Sequence, residues 1–133
     1  MLVDIAHKVA AGKAIDVSNG YLNCIWQGDA NEMIIRSLGL TQNPPNPLNL
    51  TGIQTLAVRD LAHRFGQLLG KAPHLIGQEA DSVLLLNTEK MCALLGTPAT
   101  PLETVVHWTA DWIQRGGRLY NKPTHFEVRD GNY

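Results

Sequence analysis

The residues that could do chemistry are scattered rather than grouped. Five histidines (His7, His63, His74, His107 and His125) stand without a His-x-x-x-His pair or a His-Glu-x-x-His run, the spacings that put metal ligands on one helix face. His107 and Asp111 have the four-residue spacing. One two-ligand helix is only half a metal site, however, and a surface hydrogen bond explains the pair better. Glu79 and Asp81 are close enough in sequence for acid–base work, but two acids before an apolar run read as a solvated loop. Cys24 adjoins Ile25 in an apolar stretch with nothing nearby to favour its thiolate, so it reads as a small core residue.

Phosphate and nucleophile motifs are also missing. Gly12-Lys13-Ala14 and Gly70-Lys71-Ala72 lack the hydroxyl that follows lysine in a phosphate-binding loop, and both read as helix stops with an exposed lysine. The twelve glycines show no dinucleotide-binding spacing, and no Gly-x-Ser-x-Gly elbow occurs. Trp108 and Trp112 share a helical face and read as core or interface packing rather than a sugar platform. These residues assemble no complete active site, which disfavours a small autonomous metalloenzyme or hydrolase.

Composition narrows the class without naming the chemistry. The chain has 133 residues, 11 basic against 12 acidic, and is 44% hydrophobic. That length suits a single domain, residues 1–133. Near-neutral charge without a basic block argues against nucleic acid or an anionic membrane surface as a partner. No apolar run approaches the roughly 20 residues that span a bilayer. Asp4 stands where an export signal carries positive charge, and Cys24 and Cys92 suit reduced thiols, so the expected compartment is the cytoplasm.

Five helices are expected. Residues 2–11 place Leu2, Ile5, Ala6 and Val9 on one stripe and stop at Gly12. A second helix starts with Asp29 as N-cap and Glu32 as its capping-box partner; Met33, Ile34 and Leu38 face inward and Gly39 ends it. A third covers 57–69, with Thr55 as substitute cap and Gly70 as stop. A fourth runs from Asn87 or Thr88 to Leu95. The fifth has Thr100 as cap, Pro101 at its first position, Glu103 closing the box and Gly116-Gly117 as stop. Its apolar side is Leu102, Val105, Trp108, Trp112 and Ile113. Asp4/Lys8, Glu32/Arg36, Asp60/Arg64 and Asp111/Arg115 read as solvated structural pairs.

Strands are expected at 14–18 and 21–26, joined as a hairpin by Asn19-Gly20, and at 47–50, His74–Ile76 and 83–86. Residues 42–47 are a stiff surface connection. The fold class is α+β, about five helices with a few short strands.

One ordered set of segments resembles a known family. Trp26-Gln27-Gly28-Asp29-Ala30-Asn31 follows an apolar strand and opens a helix. Leu48-Asn49-Leu50-Thr51-Gly52 comes next, followed by Thr55-Leu56-Ala57-Val58-Arg59-Asp60-Leu61-Ala62, by Leu86-Asn87-Thr88-Glu89-Lys90 and Leu94-Leu95-Gly96, and by a last amphipathic helix. This order resembles the C-terminal, substrate-binding part of the NAD-dependent epimerase/dehydratase family, the extended short-chain dehydrogenase/reductases. The resemblance implies the C-terminal lobe of such an enzyme without its Rossmann domain. In the family, NAD(P) sits on a Gly-x-x-Gly-x-x-Gly turn and a Tyr-x-x-x-Lys pair does the acid–base work. Neither is in this sequence: Tyr21 is followed four residues on by Ile25, and Tyr120 by Thr124.

The resemblance therefore implies a substrate-recognition lobe that binds no cofactor itself and is inactive alone, its NAD(P) held by the missing Rossmann domain. Asn23, Trp26, Gln27 and Gln78 are the candidate substrate-binding residues, each of which could equally serve packing or a turn. The substrate class implied is a nucleotide sugar or related polyol. The arginines that such enzymes place before residues 22–26 and near 77–81 are absent, which weakens diphosphate binding. The alternative is a stand-alone interaction or self-associating module anchored on Trp108 and Trp112.

Overall fold

The computed structural model describes residues 1–120 together with Thr124 and Val128; His125 lies outside the described residues. Its elements in order are α1 (Leu2–Ala10), β1 (Ala14–Asp16), β2 (Tyr21–Leu22), α2 (Gln27–Ser37), a 3-10 turn (Leu38–Leu40), β3 (Leu56–Ala57), α3 (Val58–Leu69), β4 (His74–Ile76), α4 (Glu89–Leu95) and α5 (Leu102–Gln114). The expected α+β class, five helices with a few short strands, is the class observed.

The main core forms where α1, α3 and α5 pack together. Leu2, Ile5, Ala6 and Val9 make the buried stripe of α1, as their spacing predicts. Val58, Leu61, Ala62 and Phe65 do the same on α3, which Gly70 ends in the left-handed conformation at φ 66°. Gly66 is required inside α3, because a Cβ there would lie 2.7 Å from the Lys71 carbonyl oxygen. Ile15 and Val17 from the β1 region and Val106 from α5 complete this cluster. A second, smaller cluster holds Met33 of α2 against Met91 and Leu95 of α4, flanked by Ile25, Leu48, Leu50 and Cys92.

The strands pair differently from expectation. β1 and β2 form no hairpin. β1 runs parallel to β4, with Ala14 opposite His74 and Asp16 opposite Ile76, while β2 runs antiparallel to β3. Asp16 supplies the reason: its Oδ1 accepts bonds from the Ser18 N–H (2.8 Å) and hydroxyl (2.5 Å). This side-chain turn takes the chain out of β1 before Asn19-Gly20 is reached. The Gly20 carbonyl then accepts from the Val58 N–H at 2.9 Å, tying that dipeptide to the start of α3.

Residues 47–50 and 83–86 enter no ladder. Leu48 and Leu50 still face inward, but side chains serve carbonyls in this region. Lys90 Nζ donates to the Pro47 oxygen (2.8 Å), Asn23 Nδ2 to that of Leu86 (2.8 Å) and Asn49 Nδ2 to that of Asn87 (3.2 Å). The Asn43–Pro44 bond in the surface connection is cis.

Helix starts are displaced as well. α2 begins at Gln27 with Trp26 in the cap position, so Asp29 lies inside the first turn and is not the N-cap. Glu32 pairs with Arg36 (3.4 Å) instead of closing a capping box. α5 begins at Leu102 with Pro101 as cap residue, so Thr100 is not the cap. Glu103 reaches across to Arg64 of α3, which takes Arg64 away from Asp60. No side chain caps α3, so Thr55 does not substitute. Asn87 Oδ1 accepts the Glu89 N–H (2.8 Å) at the start of α4.

Two apolar faces also turn out differently. On α2 Asp29, Ala30 and Met33 are buried, whereas Ile34, and Leu38 in the 3-10 turn that follows, point to solvent. On α5 the core face is Val106, Thr109 and Ala110, with Leu102, Val105 and Ile113 beside it. Small residues let α5 approach α1 and α3 closely, and the two indoles are left outside, Trp108 and Trp112 each 49% exposed.

Candidate functional site

A recess of about 130 Å³ opens where residues 24–26 and 52–56 meet the segment entering α5. Cys24, Trp26, Gly52, Gln54, Thr100 and Val105 are among its walls. Gly52 makes this closeness achievable: a Cβ there would fall 1.8 Å from the Cys24 carbonyl oxygen, closer than any side chain tolerates. Trp26 folds back over Gly28, where a Cβ would lie 2.1 Å from the indole. The same indole meets Trp108 of α5 edge to face, centroids 5.3 Å apart at 62°. An aromatic wall thus joins the α2 entrance to the outer face of α5.

Thr100, one of the recess walls, is held by a buried carboxylate outside the recess. Asp29 accepts bonds from the Thr100 N–H and the Thr100 hydroxyl, both at 2.9 Å. Cys24 contributes no nucleophile, because burial pushes its thiol pKa up and keeps it neutral. Among the described residues no three His, Cys, Asp or Glu side chains gather as a metal site. Asp111 accepts from Arg115 Nε (2.8 Å), so its carboxylate is engaged with that arginine.

Of the four candidate residues from sequence, Trp26 lines the recess. Asn23 is half-buried just before it, its amide committed to the Leu86 carbonyl. Gln27 is exposed at the start of α2 and donates to Asn31 Oδ1 (2.8 Å). Gln78 is exposed in the loop after β4 and is not among the recess walls.

That loop holds a feature the sequence reading missed. No arginine lies near 77–81 in sequence, yet Arg59 at the start of α3 is brought to it and pairs with Glu79 at 2.7 Å. The guanidinium holds the Glu79 carboxyl below the usual carboxylate range, so Glu79 is an ion-pair partner and not merely a solvated loop acid. The signal that could have found this pair is Arg59 itself, within the segment 55–62 already singled out.

The overall backbone has close counterparts among solved structures. The UDP-glucose 4-epimerase of Thermus thermophilus, crystallised with NAD, matches with a TM-score of 0.65 at 16% identity over 85% of this chain. The UDP-glucuronic acid 4-epimerase of Bacillus cereus, also with NAD, gives 0.66 at 13% over 88%. The GDP-mannoheptose C4 reductase of Campylobacter jejuni, with NADP bound, gives 0.60 at 12% over 85%. The chain has the fold of one lobe of such an enzyme. It spans about 40% of the length of these structures (40%, 40% and 43%), which fits their C-terminal part. No protein-family model and no curated protein matches the sequence.

The described residues do not fit the dinucleotide that those structures hold. A pyrophosphate needs a glycine-rich turn between a parallel strand and a helix. Here the parallel strand β1 leads into the Asp16–Ser18 turn, whose Ser18 N–H is already taken by the Asp16 carboxylate. β4 leads into the loop containing Gly77, where Asp16 Oδ1 and Ser18 Oγ crowd the glycine. An acid at that place would repel phosphate.

Proposed function

We propose that residues 1–133 form one domain, the substrate-recognition lobe of an NAD-dependent epimerase/dehydratase-like enzyme. The observation that carries this reading is the match along 85–88% of this chain to about 40% of each epimerase chain. A Rossmann domain, encoded upstream in frame or as a companion chain, holds the NAD(P) and the Tyr-x-x-x-Lys pair that this sequence lacks. The lobe binds no cofactor itself, carries out no redox step alone, and works in the cytoplasm. Among the described residues no helix is long and apolar enough to cross a membrane.

The substrate class is a nucleotide sugar or related polyol. Trp26 offers an apolar face on which a sugar ring can stack; Asn23 and Gln27 flank it along the chain, and Gln78, exposed in the loop after β4, is proposed to reach the ligand from outside the recess. Arg59 is engaged by Glu79, so a diphosphate would find little free positive charge at that loop.

Tryptophan fluorescence titrations test the reading. UDP-glucose should quench Trp26 emission in the wild type and not in Trp26→Phe, while NAD alone should change nothing. NAD binding at on the order of 10 µM would overturn the assignment of the cofactor to another domain. A second reading, a stand-alone interaction module, is favoured by the half-exposed Trp108 and Trp112. A chain that answers to no sugar ligand, with no Rossmann unit encoded beside it, would select that reading.

A further inference from the structure

Among the described residues that line the recess, none is charged. Ile25, Leu56, Pro98, Leu102 and Val105 surround the indole of Trp26, and no Asp, Glu, Lys, Arg or His stands among the walls. Apart from the Trp26 indole N–H, the polar side chains there are Cys24, Thr100 and Gln54. Burial keeps the Cys24 thiol neutral, and the Thr100 hydroxyl is spent on Asp29. Gln54 differs from both. It is exposed, and its amide makes no hydrogen bond to any described residue. The neighbouring amides of Asn23 and Gln27 are already bonded to Leu86 and Asn31.

These walls set terms for what can enter. An amide offers one carbonyl and one NH₂ group, enough to satisfy one or two ring hydroxyls. Hydroxyls turned to the other walls would leave water without gaining a partner, which costs affinity. A carboxylate or phosphate would fare worse, because no cation is present on the walls to receive it. A ring edge that carries a methyl group gains from the same contact. At about 130 Å³ the recess is smaller than the ~300 Å³ at which pockets enclose whole drug-sized ligands, so it takes one ring and leaves the rest outside.

We infer, resting on the substrate-lobe reading above, that Gln54 is the specificity-determining residue of the recess and that the ring it reads is an uncharged deoxysugar. Its amide pairs with the ring hydroxyls, while the methyl-bearing edge packs against Leu56, Leu102 and Val105.

Three methyl glycosides, of 6-deoxyglucose, glucose and glucuronate, test this because they differ only at C6, as methyl, hydroxymethyl and carboxylate. Each is titrated into the 133-residue chain and followed by tryptophan emission and saturation-transfer NMR. The 6-deoxyglucoside should bind about tenfold more tightly than the glucoside, and the glucuronide should not bind. Gln54→Leu, at an exposed position, should weaken the 6-deoxyglucoside about tenfold while circular dichroism stays unchanged. Gln54→Arg sets a cation on the wall and should bring in the glucuronide. Equal binding of glucoside and 6-deoxyglucoside, or a Gln54→Leu chain that titrates as wild type, would overturn the role of Gln54 and the deoxysugar class. Quenching by UDP-glucose would in that case still uphold the sugar lobe. Silence toward all three glycosides and toward UDP-glucose would overturn both.

Discussion

Asp29 in the first turn of α2 and Thr100 just ahead of α5 are joined twice, the carboxylate accepting both the backbone N–H and the hydroxyl of the threonine at 2.9 Å. The acid is 5% exposed, so water cannot replace these bonds if either partner is removed. Asp29→Ala should destabilise the chain by about 2–3 kcal/mol, whereas Thr100→Val, which keeps the N–H bond, should cost about 1 kcal/mol. Urea unfolding midpoints at constant m-value measure both. Equal, negligible losses would show that the tether contributes nothing.

Gly52 packs on the carbonyl of Cys24 with no room for a methyl group. Gly52→Ala must push the 52–56 segment away from 24–26, at a cost of about 3 kcal/mol. The same displacement opens the recess, so the substitution should also abolish any sugar-induced quenching of Trp26. A stable Gly52→Ala protein with unchanged titration would contradict the packing described.

The Trp26–Trp108 contact is half in water and should contribute modestly. Trp108→Ala is expected to cost about 1 kcal/mol and to shift the emission of Trp26 to the red as its indole loses cover. Trp108→Phe retains an aromatic edge and should retain most of the stability. Thermal melts and emission spectra of the two variants make the comparison.

Asp16 gives the acid side of the stability profile. Hydrogen bonds from the Ser18 hydroxyl and N–H, with attraction from Lys8, hold its carboxyl below the usual carboxylate range. The charged form is thus favoured by folding. Its stabilisation is complete above the unfolded-state value of about 3.9 and is lost as pH falls through the lower folded value. The difference in melting temperature between wild type and Asp16→Ala should therefore be steady near neutrality and shrink below about pH 4. A difference that grows on acidification would have the wrong sign.

What could be read from the sequence was what neighbours along the chain decide. The stripes Leu2–Ile5–Val9 and Val58–Leu61–Phe65 repeat with the helical period and bury as expected, and Gly70 stops α3 where its lack of a side chain permits. The pairing of β1 with β4 was not legible, since some sixty residues separate them and Asn19-Gly20 signals a hairpin locally. The Asp16–Ser18 turn competes with that signal and prevails. Ile34 and Leu38 show how periodicity finds an apolar face without saying what lies against it.

At the candidate site, Trp26 was reached through the family resemblance, and the structure puts it on the recess wall. Asp29 and Thr100 misled for one reason: both are good helix caps, and each has bound the other instead. Such a bond across seventy-one residues leaves no trace in local spacing. Arg59 was overlooked because its partner Glu79 lies in another segment.

The division of the apolar interior has a further consequence for motion. Phe65 and its neighbours anchor α1, α3 and α5, whereas α2 and α4 meet in the smaller cluster of Met33, Met91 and Leu95. Backbone amides of the methionine-lined half should exchange with deuterium sooner than those around Phe65. The recess straddles the boundary, with Ile25 on one side and Val105 on the other. A ligand seated there would act as a bolt between a firm half and a yielding one, slowing the hydrogen exchange of α2 and α4 without touching either helix's far end.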